Sequence, residues 1–186
     1  MTLYLLRHGE SEGNQRQLFS GVHDHPLTER GRSQARQAGE AFRGHAFGRL
    51  FTSQLSRAIE TADLFLAASG ARVGARQAMA ELNERNFGAF EAQPQPPVQD
   101  LQPDDTRWRI CRDVEFAPPG GESMRQTHQR AVAFLESLRA QAGTGDILIV
   151  AHGNVLRSMT LHVLGWPIDM LPDMPSRNCL VTRLGW

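Results

Sequence analysis

Two short apolar runs that each end in a His-Gly pair constrain the fold of this chain most. Residues 2–6 (TLYLL) and 147–151 (ILIVA) are nearly continuous apolar stretches, which is typical of β-strands buried on both faces. Segments with helical periodicity lie between them, and the clearest repeats apolar side chains at i, i+3, i+4 and i+7 along residues 55–66. Strands that alternate with helices predict a three-layer α/β/α sandwich around a mostly parallel mixed sheet.

Capping residues set the expected limits of the remaining elements. We expect Thr28 to cap one helix and Ser53 the next. Ser123 and Gln126 form a capping box before a further helix, which we expect to end at Gly143. The other predicted elements are short strands at residues 50–52 and near 72–76, a short helix around 105–112, a helix over about 154–164 and a last strand over 179–184.

Composition excludes several classes of function. The chain has 186 residues and is expected to form one domain, residues 1–186, with a Pro-rich insertion or lid at about 92–121. Apolar runs stay far below the roughly 20 residues that span a bilayer, and the N-terminus lacks the features of a signal peptide. We therefore expect a cytoplasmic protein with no membrane contact and with reduced thiols at Cys111 and Cys179. A formal charge of zero argues against a nucleic-acid partner.

Polar side chains collect where the predicted strands end. The first strand ends in Arg7-His8 and the second is followed by His152, so parallel neighbouring strands would bring both imidazoles to one crevice. Arg57 lies at the start of the helix after the third strand, where a cation opposes the helix dipole. Arginines, imidazoles and free helix amides together predict a pocket for a dianion, most naturally phosphate.

Spacing alone does not decide the roles of the other polar residues. A proton donor could be Glu81 or Glu84, which share one polar stretch. The motif HDH at residues 23–25 lacks the further ligands of a catalytic metal, so no metal is expected. Three arginines in the Pro-rich segment form either a clamp for a second anionic group or a solvated helix face: Arg107, Arg109 and Arg112.

A collinear series of motifs resembles the histidine phosphatase superfamily, also called phosphoglycerate mutase-like. The series comprises LRHGESEGN (6–14), PLTERG (26–31), TSQLSRAIETA (52–62), LNERNFG (82–88), GGES (120–123) and AHGN (151–154). Such a series is specific for the superfamily and much less specific for the substrate. The resemblance implies the phosphoglycerate mutase-like fold.

The resemblance also implies catalytic roles. His8 would attack phosphorus and carry a phosphohistidine, which splits one displacement into two. Arg7, Arg57 and His152 would bind the phosphoryl oxygens and offset charge in the transition state. A backbone carbonyl near the other nitrogen of His8 is expected to fix its tautomer.

The resemblance selects Glu84 over Glu81 as the acid that protonates the leaving group and then activates water. No metal and no other cofactor is implied. The substrate is expected to be a small phosphate ester, contacted by Asn14, Ser20, Gly21, Arg85, Gly153 and Asn154.

Three branches of function compete. Residues 82–85 and 151–157 resemble phosphoglycerate mutase motifs. Mutases, however, are longer and carry a basic patch just after the acid segment, which is absent here, and this chain contains no Lys. Residues 89–92 (AFEA) are closer to a block of the small phosphatases, although Phe90 and Ala92 stand where that block usually has Trp and Gly. An open pocket would admit water and favour hydrolysis.

We therefore favour a metal-independent phosphomonoesterase, similar to α-ribazole and broad-specificity bacterial phosphatases. A cofactor-dependent phosphoglycerate mutase is the first alternative. A non-catalytic phosphate-binding relative is the second, although every expected catalytic position is occupied. Neither the physiological substrate nor the oligomeric state, monomer or homodimer, follows from the sequence.

Overall fold

The computed structural model describes residues 2–140 and 145–185, and within them the chain forms one five-stranded sheet with the strand order β3-β2-β4-β1-β5. Four strands are parallel and β5 runs antiparallel beside β1. The strands are β1 (Thr2–Arg7), β2 (Ala46–Ser53), β3 (Arg72–Met79), β4 (Asp146–Ala151) and β5 (Val181–Gly185). The predicted mostly parallel mixed sheet is confirmed.

Helices cover both faces of the sheet. In the described residues they are α1 (Glu12–Gln15), α2 (Glu29–Glu40), α3 (Ser56–Ser69), α4 (Thr106–Arg112), α5 (Met124–Ala140) and α6 (Gly153–Leu164). Short 3₁₀ segments occur at Ala80–Leu82, Gly88–Phe90, Val98–Asp100 and Ile168–Asp173. None of the helices in this part of the chain is both long enough and apolar enough to cross a bilayer.

The register between β1 and β4 explains why helices cover both faces of the sheet. Because successive side chains of a strand point to opposite faces, Leu5 packs with Ile149 on one face and Leu6 with Val150 on the other. The first face is covered by α5 and α6 and the second by α3, while α2 packs on α3. The predicted α/β/α sandwich thus follows from two strands that are apolar on both faces.

Several predicted boundaries are confirmed. The Thr28 hydroxyl accepts the N–H of Gly31 and caps α2. Ser123 and Gln126 exchange hydrogen bonds of 2.7 and 3.1 Å in the predicted capping box. The expected short helix around residues 105–112 is α4. The expected end of α5 at Gly143 lies outside the described residues.

Other boundaries differ for local reasons. Ser53 does not cap α3, because the strand continues through it and Leu55 is the residue before the helix. The strand β2 begins at Ala46 rather than at residue 50. Gly48 and Arg49 interrupt the apolar run, but β2 pairs with β3 and β4 on both sides of Gly48. Cys179 has a φ of 54°, which no strand residue adopts, so β5 begins at Val181.

Candidate active site

The two His-Gly pairs meet at the carboxyl ends of neighbouring strands. Arg7 and Ala151 are paired in the register of β1 and β4, and the N–H of His8 donates to the Ala151 carbonyl at 3.0 Å. The rings of His8 and His152 lie 5.0 Å apart between centroids, and both side chains are buried. The topology therefore brings the two imidazoles together as the sequence predicts.

The environment of His8 fixes its protonation. Nδ1 lies 2.7 Å from the carbonyl oxygen of Gly9 and donates its proton there, which leaves Nε2 with a free lone pair. Burial, together with the charges of Arg7 and Arg57, lowers the pKa of His8 well below 6.5. A neutral imidazole with an unprotonated Nε2 is the nucleophilic form of histidine.

His152 is held by Ser53, which was expected to cap a helix. Its Nε2 lies 2.7 Å from the Ser53 hydroxyl, and that oxygen also accepts the N–H of Leu55 at 3.2 Å. A hydroxyl oxygen has two lone pairs, so it can accept from Leu55 and still either donate to Nε2 or accept from it. Burial lowers the pKa of His152 well below 6.5, with Arg57 and His8 adding to the shift. The ring is neutral, and when the hydroxyl donates to Nε2 the ring proton sits on Nδ1, which is then a donor.

The two arginines add further donors. Arg7 donates from Nη1 to the carbonyl of Ser176, and Arg57 is fully buried with both of its Nη atoms hydrogen-bonded to residues 20–24. Within the described residues, Nε of both arginines and Nδ1 of His152 are buried and lack a partner. An unpaired buried donor costs about 1–3 kcal/mol, so this group of donors is complementary to an anion.

Glu84 lies in the same cluster, and Glu81 does not. The carboxylate of Glu84 is buried and accepts the N–H groups of Arg85 at 2.8 Å and Asn154 at 3.3 Å. Its negative charge raises the pKa of Arg7 and Arg57 against the larger, lowering effect of their burial. The Glu81 side chain is exposed to solvent. The structure thus separates two carboxylates that spacing alone left equivalent.

Residues 174–180, here called the C-terminal strap, lie beside the end of β1. The N–H of Cys179 donates to the Arg7 carbonyl at 3.1 Å, and the N–H of Arg7 donates to the Leu180 carbonyl at 3.2 Å. His8 and Glu84 are only 3% and 7% exposed. Asn178 donates to the His8 carbonyl and to Oδ1 of Asn14, both at 3.0 Å. The strap is thus fastened by hydrogen bonds to the end of β1 and to His8, and the openness of the pocket to water stays a prediction.

Family membership can be read directly from the sequence comparison. The profile of the histidine phosphatase superfamily (branch 1) matches residues 3–186. The chain belongs to the histidine phosphatase superfamily. Enzymes of this superfamily act on small phosphate esters.

Relatives of this chain include mutases and phosphatases. A 2,3-bisphosphoglycerate-dependent phosphoglycerate mutase of Cytophaga hutchinsonii is 38% identical over 163 residues, which cover 87% of this chain and 76% of the mutase. The structure of an α-ribazole phosphatase from Shigella flexneri matches with a TM-score of 0.81 and 30% identity, over 98% of this chain and 89% of that one. A mycobacterial glucosyl-3-phosphoglycerate phosphatase matches with a TM-score of 0.81 and 26% identity, over 98% and 88%.

The expected substrate contacts of this chain lie around this cluster. Oδ1 of Asn14 accepts from the backbone and hydroxyl of Ser11, both at 3.2 Å. Gly153 and Asn154 begin α6, and Oδ1 of Asn154 accepts from Arg157 at 2.9 Å. The carbonyl oxygens of Ser20 and Gly21 accept from Arg57. Their contact with a substrate stays a prediction.

Arg85 has a structural task in addition to its predicted one. Its side chain is 1% exposed, and its three nitrogens donate to the carbonyls of Glu122, Ile110 and Phe116 at 2.7, 2.7 and 3.0 Å. Burial lowers the pKa of Arg85 to about 10. The guanidinium thus ties the acid-bearing segment to the Pro-rich segment, and its contact with substrate stays a prediction.

Two of the three arginines of the Pro-rich segment form ion pairs. Arg109 pairs with Asp113 at 3.1 Å, and Arg112 pairs with Asp173 at 2.6 Å. Nε of the third, Arg107, is buried and has no partner within the described residues. Asp24, at the centre of the HDH motif, accepts the N–H of Ser56 at 2.6 Å and so caps α3. Across residues 2–140 and 145–185 no cluster of three or more His, Cys, Asp or Glu side chains is arranged to hold a metal ion.

Proposed function

We propose that this histidine phosphatase is a metal-independent phosphomonoesterase that hydrolyses a small phosphorylated metabolite through a phosphohistidine at His8. The observation that carries the proposal is the 2.7 Å contact between Nδ1 of His8 and the Gly9 carbonyl. It leaves Nε2 free as a nucleophile beside the unpaired donors of Arg7, Arg57 and His152.

In the first step, Nε2 of His8 attacks phosphorus and the bond to the ester oxygen breaks. Glu84 gives its proton to the departing alkoxide, which typically accelerates such a step by about 10²–10⁴-fold. The donors of Arg7, Arg57 and His152 bind the phosphoryl oxygens, where fixed hydrogen bonds stabilise charge without reorganisation. The Gly9 carbonyl accepts from Nδ1 throughout and spreads the positive charge of the phosphorylated ring.

In the second step, water attacks the phosphohistidine and the N–P bond breaks. Glu84, now ionised, takes the proton of the attacking water. Inorganic phosphate leaves, and both His8 and Glu84 return to their starting protonation. The same carboxyl group therefore acts as acid and then as base.

Specificity is proposed to reside in the Pro-rich segment. A cavity of about 150 Å³ is lined by Asn154 and Arg85, the two residues whose backbone N–H groups donate to Glu84, and we propose that it receives the leaving group. Its wall combines apolar and basic side chains, among them Phe87, Ile110, Cys111, Arg112 and Arg157. This combination suits a leaving group with an apolar part and a polar or anionic part.

A cofactor-dependent phosphoglycerate mutase is the second candidate. It is supported by the mutase relative at 38% identity and by the burial of His8, which is 3% exposed, because a shielded phosphohistidine is less open to attack by water. The phosphatase is supported by the two phosphatase structures that match over 98% of this chain and by a basic complement that contains only Arg.

The deciding experiment measures free phosphate from a panel of phosphate esters, with EDTA present, from pH 5 to pH 8. The panel includes 3-phosphoglycerate, and formation of its 2-isomer is assayed with and without 2,3-bisphosphoglycerate. Release of phosphate without isomer formation supports the phosphatase, provided that His8→Ala abolishes both turnover and acid-labile ³²P labelling. Isomer formation that needs the bisphosphate, with little free phosphate, establishes the mutase instead. Loss of activity in EDTA that a divalent metal restores would contradict the metal-independent mechanism.

A further inference from the structure

One carboxylate organises the loop that surrounds Arg57. Oε2 of Glu91 accepts the N–H groups of Gly21 and His23 at 3.1 and 3.0 Å. Oε1 accepts those of Val22 at 3.1 Å and Phe87 at 2.8 Å. A carboxylate offers about four lone-pair sites, so this single side chain is saturated by backbone donors. Three of these donors belong to residues 20–24, here called the arginine loop.

The opposite side of the arginine loop faces the guanidinium. Nη1 of Arg57 donates to the His23 carbonyl at 3.1 Å and to Oδ1 of Asp24 at 3.2 Å. Nη2 donates to the carbonyls of Ser20 and Gly21 at 3.3 and 2.6 Å. All four Nη protons are thereby used. Within the described residues Nε is the one donor of this side chain without a partner, and it is buried.

The loop backbone therefore lies between a carboxylate and a guanidinium. At Gly21 and His23 the N–H donates to Glu91 while the C=O accepts from Arg57. The approach is close, since a Cβ on Gly21 would lie 2.3 Å from Oε1 of Glu91 and 2.0 Å from the Arg85 carbonyl. Burial lowers the pKa of Arg57, and the charges of Glu84, Asp24 and Glu91 oppose that shift.

We propose that Glu91 is a positioning residue for phosphoryl binding: it holds the arginine loop so that Arg57 presents only its Nε–H to the phosphoryl group. The proposal rests on the proposed function, in which Arg57 binds the phosphoryl group. Glu91 acts through the loop and does not touch the substrate. Without its four acceptors the loop is released, and its carbonyls no longer fix the rotation of the guanidinium.

The test uses Glu91→Gln, which keeps the size of the side chain but removes its charge and replaces one acceptor oxygen by a donor. Loss of charge-assisted hydrogen bonds of this kind corresponds to a change of about tenfold or more in an equilibrium constant. We expect the dissociation constant for inorganic phosphate, measured by calorimetry, and the inhibition constant for orthovanadate each to rise by about that factor. We expect kcat/KM for p-nitrophenyl phosphate to fall in parallel. Glu91→Asp keeps the charge but cannot reach all four donors, so its values should lie between those of the wild type and Glu91→Gln.

The matched control is Asp146→Asn, because the Asp146 carboxylate also accepts a backbone N–H, from Thr2 at 2.9 Å, at the start of β4. It should leave phosphate affinity and turnover unchanged.

All variants are assayed well below their melting temperatures. A lower melting temperature of Glu91→Gln with unchanged phosphate affinity therefore overturns the positioning role. If Glu91→Gln does not fold, Glu91→Asp decides by the same two binding measurements. Absence of ester hydrolysis by the wild type overturns the proposed function alone, since phosphate affinity still tests Glu91.

Discussion

The hydroxyl of Ser53 lies 2.7 Å from Nε2 of His152 and joins the end of β2 to the residue that follows β4. The same oxygen accepts the N–H of Leu55 and keeps a proton that it can donate to the imidazole. When it does so, the ring proton of His152 lies on Nδ1, which is buried and has no partner within the described residues. A residue at the edge of the site is thus placed to select the tautomer of one at its centre.

Removing this hydroxyl is expected to slow the reaction. In Ser53→Ala, Nε2 of His152 loses its partner and the ring is free to hold its proton on either nitrogen. Loss of one such orienting hydrogen bond should lower kcat by about tenfold, while the inhibition constant for orthovanadate rises. Ser69→Ala is the control, because Ser69 is also buried and hydrogen-bonded but lies at the end of α3. An unchanged kcat in Ser53→Ala would mean that another group fixes the tautomer.

The acid role of Glu84 predicts a dependence on the leaving group. Glu84→Gln should lower kcat for alkyl phosphates by about 10²–10⁴-fold. The effect on p-nitrophenyl phosphate should be much smaller, because p-nitrophenolate barely needs protonation. Glu81→Gln serves as the control, since that side chain is exposed three residues earlier. Equal losses on both kinds of ester would exclude Glu84 as the leaving-group acid.

Burial of neutral imidazoles predicts a loss of stability in mild acid. His8 and His152 have pKa values well below 6.5 in the folded state, so below pH 6.5 the unfolded chain binds more protons than the folded one. The free energy of unfolding must then decrease as the pH falls. Each histidine contributes up to about 1.4 kcal/mol per pH unit between 6.5 and its folded pKa.

Urea unfolding between pH 5.5 and pH 7.5 measures this slope. His8→Gln should reduce the slope below pH 6.5 by up to about 1.4 kcal/mol per pH unit, and above pH 7 the dependence on pH should match that of the wild type. His23→Gln is the control, because His23 is exposed in the arginine loop. If the free energy of unfolding varied with pH equally in the wild type and in His8→Gln, His8 would have the same pKa in the folded and the unfolded state.

The strand ends could be predicted because their signals are local. A continuous apolar run specifies a strand buried on both faces, and its final residues then lie at the edge where ligands bind. Arg7, His8 and His152 follow from that pattern alone. The fold class follows from the same two runs, since their register decides which face each neighbouring helix covers.

The features that the sequence did not predict depend on contacts between segments that are distant in the chain. A serine before a helix is typical of a cap, and only the pairing of β2 with β4 shows that Ser53 reaches His152 instead. The C-terminal strap has no periodicity, and Asn178 reaches His8 across 170 residues. Its position beside the end of β1 depends on such long-range hydrogen bonds, which no local pattern encodes.

Arg85 offers a test that separates a structural residue from a substrate contact. Its guanidinium donates to three backbone carbonyls of the segment between residues 110 and 122, and Lys cannot reproduce this fork. Arg85→Lys should lower the free energy of unfolding by about 2–3 kcal/mol, measured by urea denaturation. Well below its melting temperature the variant should keep the KM of the wild type. Arg109→Lys, at an exposed ion pair with Asp113, should change stability by less than about 1 kcal/mol. A raised KM with unchanged stability would instead support the substrate contact, because a side chain that clamps the backbone cannot be replaced without loss of folding free energy.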